Sequence, residues 1–178
     1  MNPRFMNYMN KQWPISTKLR RFHYYWFIVN ELEEFIYSRQ EKMDGLHYLQ
    51  MFSGFEDTNL GLGVVVEAVL REDGTLGETL HDLLESDRYD DQIKTALDEI
   101  IEWINSSYLI IRDLSTKNIV WNEKEGHFVI IDGLGARRLP SLRSFSQKYN
   151  QRANRKRTAK LRQRVNAHIQ KVRGRETH

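Results

Sequence analysis

Ile111-Arg112-Asp113-Leu114-Ser115-Thr116-Lys117-Asn118-Ile119-Val120, followed after a short interval by Ile130-Ile131-Asp132-Gly133-Leu134-Gly135, is the stretch on which the reading of this chain turns. An acid, Asp113, and an amide, Asn118, flank a polar loop that runs into an apolar strand, Ile119–Trp121. A turn at Asn122–Gly126 leads to a second apolar run, Phe128–Ile131, so Ile119–Ile131 is predicted to be a β-hairpin. A hairpin returns the chain to its starting point, which places Asn118 near Asp132 in space. Two oxygen-bearing side chains at one loop edge can hold Mg²⁺, a hard cation that takes carboxylate, amide and phosphate oxygens. Asp113, a few residues upstream, can then orient or deprotonate an attacking hydroxyl. The competing reading is local: an Asp and an Asn in one loop commonly cap turns and helix ends.

Outward from this stretch the periodicities change. Tyr89–Ser106 carries Ile93, Leu97, Ile100, Ile101 and Ile104 at three- and four-residue intervals, which predicts an amphipathic helix. Thr79–Leu84 reads as a short helix, and Asp73-Gly74 as a turn. Gly63–Leu70 is β-branched and apolar, so a buried strand is expected there, with Glu67 as its one charge. Leu46–Phe52 fits no single period. Thr17 to about Arg39 is predicted to be a helix, with Leu19, Phe22, Trp26, Val29 and Glu33 on one face and Phe35 and Ile36 extending its apolar side. From Leu142 onward the chain is basic and helical in pattern, and Leu161, Val165, Ile169 and Val172 give it only a thin apolar stripe.

Composition bounds the classes of function. The 178 residues are 40% hydrophobic and 11% aromatic, enough for a folded domain. With no cysteine, disulfides and thiolate metal sites are excluded. None of the six histidines shows metal-ligand spacing. Met1–Trp13 lacks the apolar centre of a signal peptide, and no apolar run approaches a membrane span, so a cytoplasmic protein is expected. The net charge of +3 conceals an asymmetry. Residues 1–136 hold 13 Lys/Arg against 23 Asp/Glu, a net of −10, whereas residues 137–178 hold 14 against one, a net of +13. A tail of this kind, Arg137–Arg175, either folds back on the acidic body or meets an outside polyanion such as RNA, DNA or an anionic membrane face. Beyond Phe145 and Tyr149 it offers few aromatics for base stacking.

Arg112-Asp113-Leu114 with Asn118, and then Asp132, resembles the H-R-D-x-x-x-x-N catalytic loop and the metal-binding segment of protein kinases. More narrowly, the chain resembles the family of the PhoP regulatory network protein YrbL. Asp132-Gly133-Leu134-Gly135 fits that family's D-x-[IL]-G variant, Arg20-Arg21-Phe22-His23-Tyr24-Tyr25 its first helix, and Val65-Val66-Glu67 to Thr79-Leu80 its hinge. The likeness spans roughly Leu19 to Arg164.

The resemblance implies an α+β, protein-kinase-like fold: a mostly helical large lobe with a reduced or truncated small lobe. Residues 1–145 would form the kinase-like domain, with the small lobe at about 1–66 and the large lobe at about 67–145. Residues 146–178 would be a basic helical segment. It implies Mg²⁺ and ATP, with Asp113 as catalytic base and Asn118 and Asp132 on the metal. Lys117 would contact a phosphate, and the backbone at Glu67 would meet the adenine; the alternative for Glu67 is an edge-strand acid facing solvent. The phosphoryl acceptor would be a hydroxyl on a protein or small molecule. Several departures point the other way. Ile111 stands in place of the loop His, and Gly133 in place of the Phe. The first glycine of the chain is Gly45, and Lys11 and Lys18 lie in polar surroundings. On the family's helix Arg21 falls where an acid is expected, with Glu31 as a fallback. These departures favour a pseudokinase, a regulatory or scaffold protein on the same fold. A nucleic-acid-binding module acting through the tail is a third reading.

Overall fold

The computed structural model describes residues 17–41, 43–59, 61–135 and 146–176. Helix α1 (Thr17–Gln40) leads through a 3-10 turn at Leu46–Tyr48 to strands β1 (Phe52–Thr58) and β2 (Gly61–Val66). Helices α2 (Leu80–Glu85) and α3 (Asp91–Ser106) follow, then β3 (Ile119–Asn122), β4 (His127–Ile130) and a long helix α4 (Gln147–Glu176). Among the described residues there are two sheets, each a two-stranded antiparallel ribbon, so the architecture is α+β. No helix among the described residues is long and apolar enough to cross a membrane.

The core forms where the sequence periodicity is strongest. Asp90 caps α3 by accepting from the Ile93 amide at 2.9 Å, an arrangement worth about 1 kcal/mol. The expected stripe Ile93, Leu97, Ile100, Ile101 and Ile104 is buried, joined by Ala96. Thr79 starts α2 with a reciprocal cap: the Asp82 amide donates to Thr79 Oγ1, and the Thr79 amide donates to Asp82 Oδ2. That turns Leu80, Leu83 and Leu84 inward. The hairpin pairs Ile119 with Ile130, Val120 with Val129 and Trp121 with Phe128, and all six side chains are buried. Both of its faces are covered, which is why these strands read as apolar runs without alternation. Trp121 packs edge-on to Phe128, and the Trp103 indole N–H donates to the Asp44 carbonyl at 2.7 Å. Helix α4 lies on α3 and α2, with Leu161 and Val165 in the core and Arg162 paired to Asp98 at 2.8 Å. The basic segment therefore folds back on the acidic body.

Two expectations are corrected. The run Gly63–Leu70 is a strand only to Val66, and it is not buried. Leu62, Val64, Val65 and Val66 are all exposed, because the ribbon has one partner strand and nothing among the described residues covers its outer face. In α1 the expected apolar face does not point inward: Val29 and Ile36 are about half exposed, and Glu33 is exposed. The buried row is Asn30, Glu34 and Ser38, at successive four-residue steps. The physical reason is that Asn30 and Glu34 of this row meet backbone of the neighbouring chain. Glu34 Oε2 accepts from the Ile110 amide at 2.8 Å, and Asn30 lies against Gly135. Lys11 and residues 136–145 of the basic tail lie outside the described residues, and the side chains of Lys18, Leu19, Trp26 and the Arg20–Tyr25 segment lie outside the description of α1.

Candidate functional site

The loop Ile111–Asn118 and the turn after β4 are tied into one knot by backbone bonds. Ile111 and Leu134 form an antiparallel bridge. The amides of Arg112 and Asp113 both donate to the Gly133 carbonyl, at 2.5 and 3.1 Å, and the Gly135 amide donates to the Ile110 carbonyl at 2.7 Å. Asn118 joins in twice. Its side-chain Nδ2 donates to the Asp113 carbonyl at 3.4 Å, and its own carbonyl accepts from the Ile131 amide at 3.1 Å. The turn closes on itself where the Gly133 amide donates to Asp132 Oδ1. Gly133 has φ +90°, and a Cβ there would run into the Asp113 carbonyl. Gly135 has φ +83°, and a Cβ there would come within 2.7 Å of Asn30. Glycine is required at both positions.

This knot sets the side chains. Asp113 and Asp132 are exposed, and Asn118 is half-buried between them. Arg112, with its side chain only 15% exposed, reaches Asp132 Oδ1 with Nη2 at 3.4 Å. Lys117 stands exposed on the loop, close enough to lower the Asp82 carboxyl slightly, after the larger effects of the Thr79 hydrogen bonds. Glu67 is not gathered with the others. Its amide donates to the Met51 carbonyl at 2.9 Å, and its carbonyl accepts from Gln50 Nε2 at 3.0 Å. Its side chain borders a separate cleft of about 590 Å³ beside His47 and His127.

Asp132 lines a cleft of about 360 Å³ between α1, the β1–β2 ribbon and β4. Leu32, Phe35, Phe52 and Val64 make apolar walls, and Glu31, Gln50 and Asp132 make a polar end. Glu31 is the residue that sequence reasoning held only in reserve. Burial raises its carboxyl above the ordinary 4.5, and the Asp132 carboxylate raises it further, against the opposing pull of Arg112. A carboxyl raised on folding adds stability that is full below its unfolded value and is lost as pH climbs through the folded one. Glu31→Gln is therefore expected to match the wild type near pH 4 and to melt higher at pH 7, in chelator-treated buffer. A variant that melts lower at pH 7 with no pH trend would sink the assignment.

Among the described residues no three His, Asp or Glu side chains cluster as a metal centre. The pair Asn118 and Asp132 offers hard oxygens beside a further acid, a donor set that suits Mg²⁺ and not a soft metal. Among the described residues no lysine or arginine lines the cleft, so its walls suit an apolar ring system better than bare phosphates.

Among the curated proteins none matches the chain. The family model described as PhoP regulatory network protein YrbL matches residues 10–166, most of the sequence and all of the loop, hairpin and turn described above. The chain belongs to the PhoP regulatory network protein YrbL family.

Proposed function

We propose that this YrbL-family chain is a kinase-like regulatory protein that takes a magnesium-bound nucleotide such as ATP into the cleft beside Asp132, for transfer to a hydroxyl acceptor. The observation that carries this reading is the knot itself: it gathers Asp113, Asn118 and Asp132 on one loop edge, with Asp132 lining an apolar cleft. Asn118 and Asp132 would hold Mg²⁺, whose charge would offset that of the phosphates. Arg112 and the Gly133 amide both hold Asp132 Oδ1, which fixes the carboxylate. Asp113 is free to hold the acceptor hydroxyl and accept its proton. Lys117 stands on the same loop as a mobile cation for a phosphate oxygen.

A second reading, binding without transfer, is favoured by Glu31. Among the described residues the acid Glu31, and no lysine or arginine, lines the cleft with Asp132, and Arg112 is already paired to Asp132, so phosphates in the cleft would depend mainly on the metal for neutralisation. Such a pseudokinase would use nucleotide occupancy to set the position of α1 and the β1–β2 ribbon, the elements that wall the cleft.

The test is thermal unfolding with ATP, with and without Mg²⁺, on the wild type, Asp132→Ala and Asp113→Ala. The expected result is a Mg²⁺-dependent rise in Tm that Asp132→Ala loses and Asp113→Ala keeps. At ten times Kd the gain is about 1.4 kcal/mol. Label transfer from the γ-phosphate then separates the two readings, because only the transferring enzyme loses product in Asp113→Ala. Absence of any shift at millimolar ATP would retire both.

A further inference from the structure

The outer half of α4 is unusual in what it carries. Lys148, Arg152, Arg155, Lys156, Lys160, Arg162, Arg164 and Lys171 are all exposed, and no acid occurs on the helix before Glu176. Among the described residues, only Arg162 of this set is ion-paired, to Asp98. Lys148, Arg152, Lys156, Lys160 and Arg164 follow one another at four-residue steps, a spacing at which like charges repel. Nothing within the described fold neutralises that ridge.

The distribution around the helix narrows the partner. At 3.6 residues per turn, Arg155 and Arg162 fall on one flank of the exposed half. Lys160, Arg164 and Lys171 fall on the other, about 160° away. Between them run Ala159, Gln163, Ala167 and Gln170, with Arg152 and Lys156 on the same arc, so cations span the whole width of the exposed half. A membrane-surface helix needs an apolar face to insert. Here the exposed large apolar residue among the described part of α4 is Tyr149, near its start. An extended acidic peptide would lie along one flank and leave the other unmet. A groove with anionic walls on both sides meets both flanks together, and the B-DNA major groove, about 12 Å wide, admits a helix between two phosphate rows. The A-form major groove is too deep and narrow for this. The opposite half of α4 is anchored on α3 by Leu161, Val165 and the Asn154 side chain, so the helix is presented as a rigid rod. Residues 31–136 hold 8 Lys/Arg against 23 Asp/Glu, which disfavours a polyanion on that part of the chain.

We propose that the exposed half of α4 is a docking surface for duplex DNA, holding it through the phosphates that flank the major groove and without dependence on base sequence. This site is separate from the cleft beside Asp132 and does not rest on any nucleotide being bound there.

The experiment is fluorescence anisotropy of a labelled duplex of about 25 bp, long enough to span the helix, titrated with the full chain at several salt concentrations. Binding is expected to weaken steeply between about 50 and 200 mM salt, and to be indifferent to the duplex sequence. Neutralising three of the cations together (Lys156→Gln, Lys160→Gln, Arg164→Gln) should weaken binding at least tenfold at low salt. It should also flatten the log–log salt slope by about 2.7, at about 0.9 per lost phosphate contact. The same change relieves like-charge repulsion, so Tm should hold or rise; the charge-keeping pair Lys156→Arg and Lys160→Arg should bind as the wild type does. The proposal is overturned by a wild type that ignores duplex DNA at low salt, or by a neutralised variant with an unchanged slope. It is also overturned by loss of binding in the charge-keeping pair, or by equal affinity for phosphatidylserine vesicles, poly-glutamate or duplex RNA.

Discussion

Gly133→Ala is expected to lower the stability of the chain by about 2–4 kcal/mol, read as a fall in the urea midpoint. Two costs add. At φ +90° an alanine is held in backbone space that L-residues rarely occupy, a strain of about 1–3 kcal/mol. The new methyl also runs into the Asp113 carbonyl, and backbone cannot turn aside as a flexible side chain can. That carbonyl is the one that accepts from Asn118 Nδ2, and the Gly133 carbonyl is the one that accepts from the amides of Arg112 and Asp113. The clash therefore pushes apart the three residues that the candidate site needs together. Gly74→Ala is the internal control. Gly74 has φ +84° but no heavy atom within 4 Å of its missing Cβ, so it pays strain without a clash, about 1 kcal/mol. If the two alanines cost the same, the close approach between turn and loop is not what demands glycine at 133.

What could be read from the sequence, and what could not, follows from how each element is buried. Helix α3 was legible because its burial is apolar side chain against apolar side chain, and Ile93, Leu97, Ile100 and Ile104 record that contact in their spacing. The β3–β4 hairpin was legible for the same reason, with a turn marking its middle. Asn118 and Asp132 could be placed near one another because a hairpin has only one way to close.

The inner faces of α1 and α4 could not be read this way. Asn30, Glu34 and Ser38 on α1, and Asn150, Asn154 and Thr158 on α4, are polar rows at four-residue steps. Glu34, Asn150 and Asn154 meet backbone at the end of α3 and in the stretch from Tyr108 to Ile110, and Asn30 lies against Gly135, where carbonyls and amides need partners. Glu34 takes the Ile110 amide, Asn150 the Tyr108 carbonyl and Gln151 the Ser106 carbonyl. A hydrophobic stripe would have left those groups unpaired. Among the described apolar residues of α1, Val29 and Ile36 face outward, Leu32 and Phe35 line the cleft and Tyr37 packs on the core, so a search for apolar periodicity assigns the face wrongly. Glu31 became visible as a site residue only once this rotation of α1 was known, since it sits one step from Asn30 and therefore beside Asp132. The exposed β2 strand is the opposite case: Val64, Val65 and Val66 carry a core-like composition that the described fold leaves uncovered.

Asn154→Leu tests whether the polar rows, and not only the apolar stripe, hold α4 on the body. Asn154 is fully buried, and its Nδ2 donates to the Leu109 carbonyl at 3.0 Å and to the Ile104 carbonyl at 3.3 Å. The Ile104 carbonyl belongs to the last turn of α3 and has a second donor in the Ser107 hydroxyl at 3.0 Å. Leucine fills a similar volume, so little cavity forms, but the Leu109 carbonyl loses the Asn154 donor at about 1–3 kcal/mol, and the Ile104 carbonyl loses one of its two donors at a smaller cost. The expected loss is about 2–4 kcal/mol, comparable with the roughly 2–5 kcal/mol expected for Leu161→Ala in the apolar stripe of the same helix. The two variants should differ in where they loosen the chain. Leu161→Ala removes packing and leaves the bonds to Leu109 in place, whereas Asn154→Leu frees the segment that runs directly into Arg112 and Asp113. Arg157, one turn along α4, donates to the Arg112 carbonyl at 3.4 Å and would lose its alignment with it. Hydrogen exchange at the amides from Leu109 to Asp113 should therefore quicken more in Asn154→Leu than in Leu161→Ala at matched global stability. Equal exchange would mean that α4 supports the loop through bulk packing alone; faster exchange in Asn154→Leu would make the basic helix a structural regulator of the candidate site, able to pass on to Asp113 whatever its outer face binds.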